Sequence, residues 1–352
     1  MNKLSPILPD LDFPEHIDID LSNRCNLRCD FCYLSYFDPK STLRLTVEEF
    51  ERVEPALHRL RSITLFSKFE PLTCPDFLAI FERVAAHPVE SYFSSNGILL
   101  SDEIIEGIVG RLTFLTISVT GFDRESYKRH MGQDHLETVR GNLARLNAAK
   151  KRLGTDLPRL RLSTVAMQSN LEGLPSAVDF ANEFDMSEGV QVCYLTAFDP
   201  KQVSETPAAD MAAFKSAVGK AATRADDLGV TFNLQGGMPD DIEAETAELG
   251  HKWCDMPWRR LSLQPNGDVY PCPLAYEPIG NFFEESLDEI WASERLATFR
   301  KGVNCAPEEM NHDCRVCSHC RTRSVEKPAG IDFSESSEIR YGMTRKKSKG
   351  AV

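Results

Sequence analysis

The pattern that most restricts the fold of this chain is a repeated alternation of strand and helix signals between residues 16 and 234. His16-Ile-Asp-Ile-Asp-Leu21 alternates polar and apolar residues and reads as a strand. Thr46-Val-Glu-Glu49 is a capping box, and it opens a helix predicted to run to about residue 61. Strand signals follow at 62–66, 90–95, 112–119, 160–167 and 190–195, with 230–234 a further candidate. Helical patterns separate them: one opened by Pro75 and running to about 86, one capped by Ser101, two at 124–130 and 136–153, one at 174–184, and an Ala-rich helix from Thr206-Pro207 to about 228. Six strand–helix units imply parallel strands joined by right-handed crossovers. The strands read as mostly apolar on both faces, as a covered parallel sheet requires. A closed (β/α)8 barrel needs two more units. In parallel barrels the chemistry collects at the C-terminal ends of the strands, so the residues that follow each strand carry the weight.

After the first strand comes Cys25-Asn-Leu-Arg-Cys29-Asp-Phe-Cys32, a C-x3-C-x2-C spacing. Three thiolates so placed can cap three corners of a four-iron cluster and leave one iron open to a further ligand. A tetrahedral zinc site wants four ligands, and neither His nor Cys stands close by to complete one. Three thiols within eight residues also argue against disulfides. After the second strand come Lys68-Phe69-Glu70-Pro71, after the third Ser94-Ser95-Asn96-Gly97, and along the fourth Ser118-Val-Thr120-Gly121. Singly these are ordinary turn sequences.

The cysteine loop resembles the signature of the radical S-adenosylmethionine (SAM) superfamily, in which the open iron chelates SAM. Phe31, just before the third cysteine, matches the family habit. Glu70-Pro71 is similar to the end of the family's Gly-Gly-Glu-Pro, whose glutamate binds the SAM amino group, but Lys68 and Phe69 replace the two glycines. Ser95-Asn96-Gly97 resembles the family's Thr-Asn-Gly turn beside SAM. Ser118-Val-Thr120-Gly121 is similar to Ser-x-Asp-Gly, with Ser118 at the position that contacts SAM polar groups and Thr120 in place of the aspartate. Arg129 is a weaker candidate partner for the SAM carboxylate, a solvated helix face being the plainer reading. The resemblance implies an α/β fold, a partial (β/α)6 TIM-like barrel over residues 1–235. It also implies reductive SAM cleavage to a 5'-deoxyadenosyl radical that abstracts a hydrogen atom from substrate.

A second cysteine set follows: Cys254, Cys272, Cys305, and Cys314-Arg-Val-Cys317-Ser-His-Cys320. Leu261-Ser-Leu-Gln-Pro-Asn-Gly267-Asp-Val-Tyr270 reads as a β-hairpin that brings Cys254 and Cys272 together. Ligand type alone divides this set between a zinc ribbon and an iron–sulfur cluster. Gly267 ahead of Cys272, followed by Ile279-Gly-Asn-Phe-Phe-Glu-Glu-Ser-Leu-Asp-Glu-Ile-Trp291, looks like the cysteine-rich SPASM/twitch extension, which binds auxiliary four-iron clusters. That resemblance implies an extension over residues 236–325. It implies one auxiliary [4Fe-4S] cluster held by Cys254, Cys272 and two of Cys314, Cys317 and Cys320. Cys305 is left over, and His312 and His319 read as surface residues. The polar stretch 326–352 reads as a disordered tail.

The net charge of −13 makes the chain a poor candidate for broad phosphate-backbone binding. It has eleven cysteines, no signal peptide pattern and no run long enough to span a membrane. Thiols spent on metal in a reducing cytoplasm are the expectation. The expected enzyme takes electrons from a donor such as flavodoxin or ferredoxin. It acts first on a small metabolite, a sugar or aminocyclitol, by dehydrogenation or epimerisation, and alternatively on a peptide or protein side chain. A non-enzymatic iron–sulfur or zinc protein is the contrasting reading. Cys193 is a candidate hydrogen donor for an epimerisation, with Cys74 a second; a small buried core residue is the commoner fate of either.

Overall fold

The computed structural model describes residues 8–66, 68–235, 253–306, 308–317 and 343–345. Its strands are β1 (His16–Ile19), β2 (Phe37–Pro39), β3 (Ser62–Thr64), β4 (Glu90–Ser95), β5 (Phe114–Ser118), β6 (Arg159–Ala166), β7 (Val190–Tyr194), β8 (Phe232–Leu234), β9 (Arg260–Leu263), β10 (Asp268–Tyr270), β11 (Gly280–Asn281) and β12 (Met343–Arg345). One sheet carries ten of them in the order β11-β10-β9-β1-β3-β4-β5-β6-β7-β8. From β9 to β8 every pairing is parallel. The fold is α/β and TIM-like, and among the described residues the sheet is open, with β10 and β11 continuing it antiparallel beyond β9.

The six anticipated strands and the seventh candidate all form, in sequence order across the sheet. Most helix signals also hold. Thr46 makes the capping box with Glu49, Ser101 caps its helix through Ile104 N, and the helix Leu136–Leu153 matches its predicted span. The helix expected from Thr206-Pro207 begins later, at Met211, after a 3-10 turn over Pro207–Asp210, and ends at Leu228 as expected. The helix anticipated to reach residue 61 does not form as one piece. It breaks into Val47–Phe50 and a 3-10 turn, Glu54–Arg59. Pro55 has no N–H to donate and crowds the preceding turn, so a continuous helix is blocked there.

The strand faces also differ from expectation. Ile17, Ile63, Phe93, Leu115, Leu160 and Val190 are at most 2% exposed and belong to one apolar core with the helices. The opposite, concave face is polar. Register places Thr64 beside Asp18, Thr116 between Ser94 and Arg161, Ser163 between Ser118 and Gln191, and Cys193 beside Val165. Each strand therefore has one dry face and one face left for a ligand. At the N-terminal end of the concave face His16, Asp18, Ser62, Thr64 and Arg260 form a hydrogen-bonded floor. His16 Nδ1 lies 2.6 Å from Ser62 Oγ, and Arg260 Nη1 donates to Asp18 Oδ2 at 3.3 Å.

The hairpin of the cysteine-rich part is an extension of the barrel sheet. β9 lies parallel to β1, with Ile17 beside Leu261 and Ile19 beside Leu263. Gly267 turns the hairpin at φ +87°, where an added Cβ would lie 2.3 Å from Asn281 Oδ1. In the segment read as a disordered tail, Met343–Arg345 instead pairs antiparallel with Phe37–Pro39. Among the described residues no helix is long and apolar enough to cross a membrane.

Candidate functional site

The cysteine loop leaves the C-terminal end of β1, so the sheet itself delivers it to the functional face. Its turns are tight: Cys32 N donates to Cys29 O at 3.0 Å, Ser35 N to Cys32 O at 3.0 Å, and Leu27 N to Cys25 Sγ at 3.4 Å. The helix Arg124–Met131 braces it from behind. Asp30 N donates to His130 O at 3.0 Å, and His130 Nδ1, on a ring only 1% exposed, lies 2.9 Å from Asp30 Oδ2. Gly132 ends that helix at φ +82°, and a Cβ there would lie 2.6 Å from Arg28 O. Glycine is what allows the helix end to touch the loop. The orphaned oxygen Asp30 Oδ1 and the hydroxyl of Tyr127, a residue 0% exposed, are buried without a hydrogen-bond partner among the described residues.

Burial pushes the Cys25 thiol up to about 12 and Cys29 well above its ordinary value, with the charges of neighbouring cysteines adding to both shifts. The sulfurs of Cys25 and Cys29 therefore feel their neighbours and stay protonated unless a cation neutralises them. Among the described residues no three His, Cys, Asp or Glu groups converge closely enough to hold a single metal ion. An all-thiol donor set, mutual repulsion and an unsatisfied hydroxyl near Cys29 fit an iron–sulfur cluster, whose sulfurs accept such hydrogen bonds.

Glu70 stands beside this loop and is 4% exposed. Its Oε1 accepts from Ser95 Oγ at 2.9 Å and Leu72 N at 3.3 Å, and its Oε2 accepts from Asn96 N at 2.9 Å. Asn96 Nδ2 in turn donates to Asn26 Oδ1, inside the cysteine loop, at 2.7 Å. One network thus ties together the ends of β1, β3 and β4. Burial raises the Glu70 carboxyl to about 7, against the three hydrogen bonds that favour its charged form. The two residues that replace glycines turn apart. Phe69 is 4% exposed and packs with Leu34 and Phe37, while Lys68 donates its N–H to Asp20 Oδ1 at 3.0 Å and holds Nζ 5.8 Å from the Tyr270 ring centre. Thr120, where the family has aspartate, is fully buried and accepts from Val165 N at 3.1 Å, pinning β5 to β6. Ser118 is half-buried on the concave face, and Phe31 is half-buried against the core. Arg129 is exposed on its helix, as the plainer reading held.

In the C-terminal part, Cys254, Cys272, Cys314 and Cys317 line one hollow, with Met256, Pro257, Leu274, Phe299 and Asp313. Burial pushes the Cys314 thiol to about 12, and the fields of Cys272, Cys317 and Cys254 push the same way. Asn304 holds Cys254 from both sides, accepting from its N–H at 2.9 Å and donating to its carbonyl at 2.6 Å. Four cysteines around a cavity are the donor set a fully ligated cluster needs. Cys305 packs against the same small core without lining the hollow. His312 is exposed, 6.1 Å from the Tyr276 ring. Cys320 and His319 lie outside the described residues.

Cys193 Sγ lies 3.5 Å from Ser163 Oγ on the concave face, its thiol raised by burial. Cys74 instead donates to Leu45 O at 3.3 Å within the main core, away from that face. The sequence reading passed over Tyr127 and His130, which look like the buried stripe of any amphipathic helix. It also passed over Asp20, although the alternation of β1 already set it on one face with His16 and Asp18.

Residues 19–157 match the family described as the radical SAM superfamily, and residues 254–321 match SPASM, an iron–sulfur cluster-binding domain. A PqqA peptide cyclase from Streptomyces rochei is 25% identical over 322 residues, covering 88% of this chain and 83% of that protein. An AdoMet-dependent heme synthase from Methanosarcina barkeri is also 25% identical, over 334 residues, covering 88% and 92%. In fold the chain resembles Streptococcus suis SuiB bound to its precursor peptide SuiA, with a TM-score of 0.66, 16% identity, and coverage of 90% and 71%. A four-iron cluster and SAM belong to the first matched family and auxiliary iron–sulfur clusters to the second. The chain is therefore a radical SAM enzyme with a C-terminal SPASM extension.

Proposed function

We propose that the chain modifies a side chain of a peptide or protein. The observation that carries this reading is the similarity, along 88% of the chain, to a peptide cyclase. The likeness in fold to a relative bound to a precursor peptide agrees with it. This reverses the order expected from sequence, which put a small metabolite first. The equal identity to a heme synthase keeps a small molecule as the second reading.

When bound, the cluster and SAM supply a carbon radical able to take a hydrogen atom from an unactivated C–H bond. Cys25, Cys29 and Cys32 are the three protein ligands of that cluster. Glu70, Ser95, Asn96 and Ser118, with Phe31 of the cysteine loop, would bind SAM. Glu70 would pair, once deprotonated, with the SAM ammonium group, and Ser95 and Asn96 hold its carboxylate in place. Cys254, Cys272, Cys314 and Cys317 hold one auxiliary cluster. A fully cysteine-ligated cluster suits electron transfer rather than substrate binding. The polar concave face receives the substrate, and Cys193 returns a hydrogen atom there if the outcome is epimerisation. A one-electron donor such as flavodoxin or ferredoxin completes the cycle. Residues 1–235 and 236–325 are read as the two functional parts, although the sheet runs through both.

Anaerobic reconstitution followed by iron and sulfide counting tests the ligand sets, with about eight irons per chain expected. SAM and a reductant must then yield 5'-deoxyadenosine. Peptides encoded beside the gene are incubated and weighed, and the loss of two hydrogens marks oxidation or cross-linking. No nucleoside product, or zinc in the extension, refutes the assignment. A modified metabolite with all peptides untouched moves the second reading ahead.

A further inference from the structure

Two arginines two residues apart on β6 project to the concave side, and the chain treats them differently. Arg159 is exposed, and its guanidinium pairs with Glu188 at 2.9 Å. Arg161 is half-buried, one step further along the strand. Its Nη2 donates to Thr116 Oγ1 at 3.2 Å, and its guanidinium carbon sits 4.8 Å from the centre of the Phe114 ring. Its Nε is buried and has no hydrogen-bond partner among the described residues. Among those residues no carboxylate lies within ion-pair distance of it. Burial also loosens its hold on its proton, although the fields of Cys193 and Glu188 oppose that effect.

A guanidinium drawn out of water without a counter-ion is unfavourable. A hydroxyl and a ring face replace only part of its lost hydration. A carboxylate restores the remainder, because the fork of Arg matches its two oxygens and satisfies the idle N–H. The surroundings suit such a guest. Thr116 supplies a hydroxyl, and Ser163 and Cys193 lie 3.5 Å apart on the same face. Ser118, at the C-terminal end of β5, pairs in register with Ser163, the next residue outward from Arg161 on this side.

We propose that Arg161 is a carboxylate-binding subsite on the concave face, and that it orients an acidic group of the substrate on the wall that carries Cys193. This rests on the reading above, that substrate enters the concave face. It narrows the substrate to a peptide presenting either an Asp or Glu side chain or its own C-terminal carboxylate.

Calorimetry on the anaerobically reconstituted full-length protein separates the two sources. The probes are N-acetylglutamic acid α-amide (a side-chain carboxylate), N-acetylalanine (a terminal carboxylate) and N-acetylglutamine amide (neutral). At least one carboxylate is expected to bind about tenfold or more tightly than the neutral probe, as a charged hydrogen-bonded pair allows. The carboxylate that wins names the source. Arg161→Gln is expected to erase the preference, Arg161→Lys to keep part of it, and Arg159→Gln, at an exposed, paired residue that opens β6, to leave it intact. Equal binding of charged and neutral probes by the wild-type protein, or no binding of either carboxylate, overturns the proposal even if Arg161→Gln does not fold. A preference that survives in Arg161→Gln also overturns it. Binding needs no SAM cleavage, so a protein that prefers carboxylates yet makes no 5'-deoxyadenosine counts against the proposed function and not against this subsite.

Discussion

Substituting Glu70 with Gln tests the strand-end network through its proton. The carboxyl is buried at 4% exposure and holds its proton to about 7, against 4.5 without the fold. Burial is the cause, and the bonds from Asn96 N, Ser95 Oγ and Leu72 N recover only part of it. Between those two values the folded chain keeps a proton that the unfolded chain has released. The stabilisation is therefore full below about pH 4.5 and is lost as pH rises through about 7. At 1.36 kcal/mol per unit the loss is about 3 kcal/mol. Glutamine keeps the size and resembles the protonated acid, so Glu70→Gln removes the slope. The raised thiols of Cys25, Cys29 and Cys314 titrate above this window, and the lowered carboxyls of Asp123 and Glu289 below it. Urea unfolding of the metal-free protein at pH 5 and pH 8 should show wild type losing about 2 to 3 kcal/mol more than the variant. If Glu70 also faces the SAM ammonium group, wild-type affinity for SAM rises with pH through about 7, and that rise disappears in the variant. Equal unfolding slopes for the two proteins would refute the buried-proton argument.

Tyr127→Phe removes a buried hydroxyl that has no partner among the described residues. It should stabilise the metal-free chain by about 1 kcal/mol, read by urea unfolding, and lower the midpoint potential of the N-terminal cluster, read by an EPR-monitored redox titration, with iron content unchanged. Cys314→Ala should drop iron from about eight to about four per chain by colorimetric iron assay; eight irons would remove Cys314 from the ligand set. Gly132→Ala forces a Cβ to 2.6 Å from Arg28 O at a φ that disfavours it. It should lower unfolding free energy by about 1–3 kcal/mol and reduce iron retention at the cysteine loop. Asp20→Asn puts an amide N–H against Lys68 N or Gln264 Nε2 and should cost about 1–3 kcal/mol. Adding Gln264→Glu, which restores an acceptor across the pair, should recover most of that loss in the same assay.

What was legible in the sequence was local. A capping box, a serine cap or a glycine after a strand acts within a few residues, so the helix Leu136–Leu153 could be placed to the residue. The C-x3-C-x2-C loop and Glu70-Pro71 were legible for the same reason. What failed depended on distant partners or on a single misfit. Pro55 lies within an otherwise amphipathic run, and the period outweighed it. The strands read as dry on both faces because Ile, Val and Leu stand out in them, although Thr116 and Ser118, Arg161 and Ser163, and Gln191 and Cys193 already alternated with apolar residues along their strands. Nothing within Arg260–Leu263 announces that it pairs with a strand some 240 residues earlier. Hydrophobic period says which side of a strand is dry and is silent on its neighbour. Tyr127 and Arg161 were missed because their meaning lies in the partners they lack among the described residues, and only coordinates reveal an unsatisfied atom.

The attachment of β9 to β1 bears on how the two cysteine sets can work together. Joined by a linker alone, two clusters would sit at a distance that varied with the linker, and electron transfer between them would vary with it. Here the connection is a parallel ladder of four residue pairs between β1 and β9. Asp20 N donates to Leu263 O at 3.0 Å, and Asp20 places one oxygen on Lys68 N and the other on Gln264 Nε2, both at 3.0 Å. A single residue, 1% exposed, thus joins the root of the cysteine loop, the strand end before Glu70, and the hairpin that leads to Cys272. Lys68, bulky where the family has glycine, reaches toward Tyr270 of that same hairpin. The departure from the family pattern and the extension of the sheet meet at one place. Large side chains are tolerated at 68 and 69 because one packs down among Leu34 and Phe37 and the other bridges to the extension. The separation between the two cysteine sets is therefore set by hydrogen bonds within one sheet, and a substitution at Asp20 should disturb both sets together.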